Sequence, residues 1–183
     1  MTNWQLRNAI RTLKSGGIIA YPTESVFGLG CDPYNLAAVS KILTIKNRSY
    51  NKGLILLVSD VRQAQPLLKP LTKKQIEQIN QQTERATTWL LYKASTVSPL
   101  LSGHHNKLAI RVATNPVAKR LCQAFGKPIV STSCNLNTKP TSSEVSDIRN
   151  KMLLKVDKII SGSCCQQPSS KIIDLETGVI HRK

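Results

Sequence analysis

In the stretch Tyr21-Pro-Thr-Glu-Ser-Val-Phe-Gly-Leu-Gly30 an apolar segment meets a proline, three polar residues and two glycines two residues apart. Pro22 biases Tyr21 towards an extended backbone, which presents Thr23, Glu24 and Ser25 at the end of a strand. Gly28 and Gly30 leave the backbone free to turn sharply or to approach a ligand. Ser131-Thr-Ser-Cys-Asn135 is a second strand end loaded with small hydrogen-bonding groups, among them Ser131, Ser133 and Asn135. Isolated cations accompany these runs: Lys46 with Arg48, Arg111 inside an apolar run, and Arg182 downstream of Ser170. Hydroxyl and amide donors beside fixed cations suit an anionic ligand, and they favour a reaction in which negative charge must be held rather than a covalent nucleophile. Each feature also has an ordinary reading. Gly-x-Gly is common in turns, Ser-x-Ser-x-Asn is ordinary in turns and caps, and Lys46 and Arg48 flank a helix end whose dipole favours cations. Arg111 would be costly unpaired, so it needs either a ligand anion or an internal acidic partner.

The elements that must position these groups are legible in part. Thr2 and Gln5 form a capping box, and Leu6, Ala9, Ile10 and Leu13 share a helical face that ends at Ser15-Gly16-Gly17. A strand follows over 18–21, then a glycine-rich loop, then a helix capped by Asn35 and running to about Lys46, with Leu36, Val39, Ile42 and Leu43 as its buried stripe. The run 54–58 predicts a strand covered on both faces, and Asp60 opens a short helix ended by Pro66 and Pro70. Thr72 with Gln75 opens a helix to about Gln82; strands over 87–92 and 108–112 flank a loop containing Gly103-His104-His105. Asn115-Pro116 starts a helix to about Phe125, and Ile129-Val130 lead into the second polar run. A loop over 138–143, a helix from Ser143 through Asn150 or beyond, a strand over 156–160, a polar loop over 161–169 and a hairpin over 171–175 and 179–182 complete the chain. Strands alternating with helices predict a single α/β domain over 1–183, a twisted open mixed sheet with flanking helices, in which the late hairpin introduces antiparallel pairing.

Charge narrows the choice of ligand. The chain has 183 residues, with 26 Lys and Arg against 10 Asp and Glu and a net charge of +16, so its surface attracts polyanions such as nucleotides, pyrophosphate or RNA. The densest basic segments, 69–74 and 149–158, carry few aromatics for stacking bases, which leaves a solvated basic face as the plain alternative. The first residues lack a signal pattern and no apolar run approaches membrane-spanning length, which predicts a soluble cytoplasmic protein without a membrane partner. The five cysteines, at 31, 122, 134, 164 and 165, lack the paired spacing of a zinc site. His104, His105 and His181 have no ligand spacing either, so no metal residue is expected and the histidines read as surface residues.

On these residues the chain resembles the YrdC/Sua5 family of threonylcarbamoyl-adenylate synthases, most closely its short bacterial type. The resemblance rests on 21–30, Lys-Asn-Arg at 46–48, Lys-Gly-Leu-Ile-Leu at 52–56, Leu-Ala-Ile-Arg-Val at 108–112 and Ser-Thr-Ser-Cys-Asn at 131–135, in the family's order and spacing. It implies an open α/β sheet with a large basic concave face. It also implies a nucleotidyltransferase that joins L-threonine, bicarbonate and ATP into threonylcarbamoyl-AMP, releases pyrophosphate and feeds N6-threonylcarbamoyl modification of adenosine 37 in tRNAs reading ANN codons. Carried over residue by residue, Lys46 and Arg48 would be catalytic and nucleotide-binding. Thr23, Arg111 and Ser170 would hold threonine, and Ser131, Ser133, Asn135 and Arg182 the nucleotide. No tightly bound cofactor is implied, only Mg2+ arriving with ATP, and other proteins of the modification pathway would take the product onward. Three departures stand out: Ser49 follows Lys-x-Arg where the family usually has Pro, Gly53 stands where many members have Pro, and Thr83-Glu84-Arg85 replaces the usual Trp-Pro-Gly before the family's central Thr, of which only Thr88 is retained. The competing expectation is a double-stranded RNA- or tRNA-binding or ribosome-maturation factor that uses the same basic concavity; a shape-reading RNA surface has no need of two polar strand ends.

Overall fold

The computed structural model describes residues 1–81, 83–134, 155–165 and 167–182; the loop over 138–143, the helix from Ser143 and Asn135 lie outside the described residues. Helix α1 (Asn3–Lys14) carries the Thr2–Gln5 capping box in full, and α3 (Lys73–Asn80) the matching box at Thr72–Gln75. Helix α2 (Leu36–Ile45) starts at its Asn35 cap, whose side chain accepts from the Ala38 N–H, and α5 (Pro116–Phe125) starts with proline in its first turn and stops at Gly126. A short helix, α4 (Pro99–Ser102), lies in the stretch expected to be loop, and the segment opened by Asp60 is a 3-10 helix, Val61–Leu67.

Strands β1 (Ile19–Pro22), β2 (Phe27–Gly30), β3 (Ile55–Val58), β4 (Thr87–Tyr92), β5 (Lys107–Val112), β6 (Ile129–Ser133), β7 (Lys158–Ile159), β8 (Lys171–Asp174) and β9 (Ile180–Arg182) make, among the described residues, one mixed sheet ordered β7-β1-β2-β6-β3-β5-β4-β8-β9. The β1–β7, β3–β5 and β4–β8 pairs are parallel and the other five antiparallel, so antiparallel pairing begins with the first two strands instead of entering with the closing hairpin. The expected glycine-rich loop is in fact strand β2. Gly28 and Gly30 make no turn there; a Cβ at Gly30 would lie 2.6 Å from the Val130 carbonyl and 2.8 Å from the Tyr21 ring, so glycine lets β1 and β6 close on β2.

The two faces of the sheet are covered unequally. Leu56, Val58, Leu108, Ile110 and Leu91 point into the larger core beneath α2, α3, α4 and the 3-10 helix. Leu36, expected in that core, is the first residue of α2 and is 45% exposed. On the other face, Ala9 and Leu13 of α1 with Ala118, Leu121, Cys122 and Phe125 of α5 pack on Ile19, Tyr21, Leu57 and Ile129. Those two helices reach only part of that face. Among the described residues no helix is long and apolar enough to cross a membrane.

Candidate functional site

The part of the second face that the described helices leave uncovered is the candidate site. Gly28, Ile55, Ala109, Leu90 and Ile172, from five different strands, line a cleft of about 1060 Å3. Among the described residues Arg48, Lys52, Lys107, Arg111 and Arg182 line it against a single carboxylate, Asp174, and that carboxylate is held by the Lys107 ammonium at 2.6 Å. Such a surplus of cations in a low-dielectric recess focuses positive potential on whatever enters. Ser25, Ser131, Ser133 and Ser170 add hydroxyls around the same space, and Thr23, whose own hydroxyl donates to the Val26 carbonyl at 2.6 Å, adds an acceptor.

Helix α5 fixes the first rim. Its cap residue Asn115 accepts from the Val117 and Ala118 N–H groups and donates through Nδ2 to the Thr23 carbonyl at 3.2 Å. Glu24, which is buried, accepts at Oε1 from the Thr114 N–H at 2.8 Å and the Asn115 N–H at 3.0 Å. Its Oε2 makes no hydrogen bond and faces Arg111 Nη1 at 3.8 Å. Arg111 therefore has the internal acidic partner that was one of its two expectations, and it also lines the cleft. Burial lowers the pKa of its guanidinium, and the Glu24 charge works against that shift.

Behind Arg111 a polar row crosses the sheet. Arg111 Nε donates to Thr88 Oγ1 at 3.1 Å, Thr88 and Ser170 share a hydrogen bond at 2.8 Å, and Arg182 Nη2 donates to Ser170 Oγ at 2.9 Å. The register supplies this alignment: Thr88 lies opposite Arg111 on one side and Ile172 on the other, and Ile172 lies opposite Arg182.

The second rim carries the cationic pair. Lys46 caps the C-terminal end of α2, and Asn47 turns through a left-handed backbone with φ +44° to bring Arg48 over the cleft. Arg48 Nη2 donates to the Gly53 carbonyl at 3.0 Å, while its Nε is buried without a hydrogen bond. Gly53 has φ +61°, a conformation closed to proline, and it aims that carbonyl at Arg48. Ser49 caps the 3-10 turn Tyr50–Lys52. Lys46 is only 4% exposed and is not among the cleft-lining residues; burial lowers its pKa, as does the Arg48 charge, against an opposing effect of Cys134. Burial pushes the Cys134 thiol up to about 12.

Of the residues expected from the sequence, Thr23, Arg48, Arg111, Ser131, Ser133, Ser170 and Arg182 line this cleft, Lys46 lies buried beside it, and Asn135 is outside the described residues. The polar run 131–133 lies within β6 and does not follow it, Ser133 pairing with Gly28 and Ser131 with Ile55. Thr83-Glu84-Arg85 does not line the cleft but acts on it from outside: Thr83 Oγ1 donates to the Arg85 carbonyl, and Arg85 Nε donates to the Ser169 carbonyl at 2.9 Å, tying down the segment that bears Ser170. His104, His105 and His181 are exposed, and His105 and His181 also line the cleft. Sequence reasoning missed the structural part of Glu24 and the lining residues Lys52, Lys107 and Asp174, and it marked Thr88 only as the retained family threonine, without its hydrogen bonds. Among the described residues no cluster of His, Cys, Asp and Glu could hold a metal ion.

Comparison with known proteins places this geometry. The Sua5_yciO_yrdC family model, described as "Telomere recombination", matches residues 11–183. Threonylcarbamoyl-AMP synthase of Coxiella burnetii is 40% identical over 157 residues, covering 86% of this chain and 84% of that protein. The protein of the same name from Hahella chejuensis is 39% identical over 185 residues, with both chains fully covered. Crystal structures of E. coli YciO (TM-score 0.83, 26% identity, 100% of this chain and 90% of that one) and of P. abyssi Sua5 complexed with L-threonine (TM-score 0.85, 26% identity, 95% and 52%) share the fold. The chain thus spans about half the length of Sua5. These likenesses support an enzyme. With the family's motifs gathered on one half-covered sheet and the family model spanning nearly every residue, the chain belongs to the Sua5/YciO/YrdC family.

Proposed function

We propose that the cleft joins L-threonine, bicarbonate and ATP into threonylcarbamoyl-AMP, a nucleotidyl transfer that releases pyrophosphate and supplies the t6A modification of tRNAs reading ANN codons. The observation that carries this reading is the convergence of Thr23, Arg48, Arg111, Ser131, Ser133, Ser170 and Arg182 on one cleft. The curated relatives named for this activity, and the L-threonine bound to P. abyssi Sua5, support it.

In this reading the threonine amine attacks the carbon of CO2 derived from bicarbonate and loses a proton, forming a carbamate. A carbamate oxygen then attacks the α-phosphorus of ATP, and the bond to pyrophosphate breaks. Two anions must meet, so fixed cations lower the barrier chiefly by holding charge that develops on the phosphoryl oxygens. Arg48 has one nitrogen anchored on Gly53, which leaves its fork pre-set to grip an oxyanion, with the Lys46 charge beside it. Arg111, Ser170 and Thr23 take the amino acid, and Ser131, Ser133, Asn135 and Arg182 the adenylate. Mg2+ enters as part of the ATP substrate, since Asp174 is already paired with Lys107. Other t6A-pathway proteins consume the product.

Purified protein given ATP, threonine, bicarbonate and Mg2+ is expected to release pyrophosphate only when threonine is present. Arg48→Lys, which keeps the charge and loses the fork, is expected to lower turnover about a hundredfold without unfolding the domain. Threonine-independent release, or no turnover beside tight salt-sensitive binding of double-stranded RNA, would refute this function and favour the RNA-binding alternative.

A further inference from the structure

The polar row behind Arg111 has a direction, fixed by counting protons. Arginine nitrogens only donate, so Thr88 Oγ1 accepts from Arg111 Nε and Ser170 Oγ accepts from Arg182 Nη2. The bond between the two hydroxyls uses one of their two protons. Thr88 is 0% exposed and absent from the cleft lining, and among the described residues Ser170 Oγ is the one acceptor its hydroxyl reaches. If Ser170 donated to Thr88, the Thr88 proton would be stranded in the core, the costlier arrangement. Thr88 therefore donates to Ser170. That leaves Ser170, which does line the cleft, with its own proton free and both lone pairs taken by Thr88 and Arg182.

We propose that Thr88 is a positioning residue for the amino-acid substrate: it holds the Arg111 guanidinium by Nε and orients Ser170 as a hydroxyl that can donate to a carboxylate oxygen in the cleft but cannot accept from an amine or alcohol. The inference deepens the threonine-binding reading above and rests on it for the identity of the ligand. Arg111 and Ser170 together then present N–H and O–H donors to one anionic group, set by a threonine that never touches it.

Titration calorimetry with L-threonine, with threoninol, which lacks the carboxylate, and with ATP tests this on three proteins. Thr88→Val, an isostere without the hydroxyl, is expected to weaken L-threonine binding about 10–100-fold while ATP affinity stays within about threefold. Thr88→Ser is expected to restore threonine binding to within about threefold. Wild-type protein should prefer threonine to threoninol, and Thr88→Val should lose most of that preference. Threonine binding unchanged in Thr88→Val, equal losses for threonine and ATP, or no rescue by serine would each overturn the proposal. A readout without ligand stands beside these: in 15N-arginine-labelled wild type and Thr88→Ser, the Arg111 Nε–H should exchange slowly with solvent. Exchange as fast as that of exposed arginines in the wild type overturns the proposal even where Thr88→Val does not fold. A wild type without affinity for L-threonine refutes instead the function proposed above, and the Arg111 Nε–H still decides the relay.

Discussion

Glu24 shows how one side chain can serve stability and site together. Its Oε1 closes the start of α5, and its Oε2 answers the Arg111 charge. Removing one partner of a buried pair strands the other, so Glu24→Gln is expected to cost about 3 kcal/mol in urea unfolding. For a chain of this size that is roughly 6–12 °C in Tm. Lys46 adds a pH signature. Its pKa lies below the ordinary lysine value because of burial, with Arg48 adding to the shift, and the proposed chemistry needs its charged form. Turnover should therefore fall as pH rises through that lowered value, before the ordinary lysine range near ~10.4 is reached. Residual turnover of Lys46→Arg should lack this alkaline limb, because arginine stays protonated there; an unchanged limb would assign it to another group. At this scale the sequence was informative wherever residue type is itself the chemistry, as for Arg48, Arg111 and the hydroxyls. It left the parts of Glu24 and of Thr88, marked only as a retained family threonine, unassigned, because those roles depend on what the fold sets opposite them.

Strand β2 is where element-level reading failed, and the reason is physical. Two glycines in four residues argue against a strand by propensity, yet the crowding of Tyr21, Ile129 and Val130 around Gly30 leaves no room for a side chain. Gly30→Ala is expected to lose about 1–3 kcal/mol by forcing β2 away from β6. The same variant should raise the apparent KM for ATP, since Ser133 is registered against Gly28; a variant as stable as wild type would contradict the packing account. Elements with local signatures were read correctly, the capping boxes at Thr2 and Thr72 and the Asn115-Pro116 start among them. Leu36 and α4 were not, since exposure and a four-residue helix depend on neighbours far along the chain.

Among the described residues the sheet carries its larger core on one face, and its other face is covered in part by α1 and α5. That asymmetry makes the cleft, and the surplus of cations within it fits the net charge of +16. Periodicity gave the α/β class and the family resemblance gave the concave face; neither predicted which helices would stop short. The claim that depends on all of this is that one cleft builds a mixed anhydride from three small substrates. Mass spectrometry of the nucleotide formed from ATP, threonine and 13C-bicarbonate tests it most directly. The expected result is an adenylate that contains both threonine and the heavy carbon, formed in step with pyrophosphate and about a hundredfold more slowly in Arg48→Lys. A threonyl adenylate without the heavy carbon, or no adenylate product at all, would contradict it.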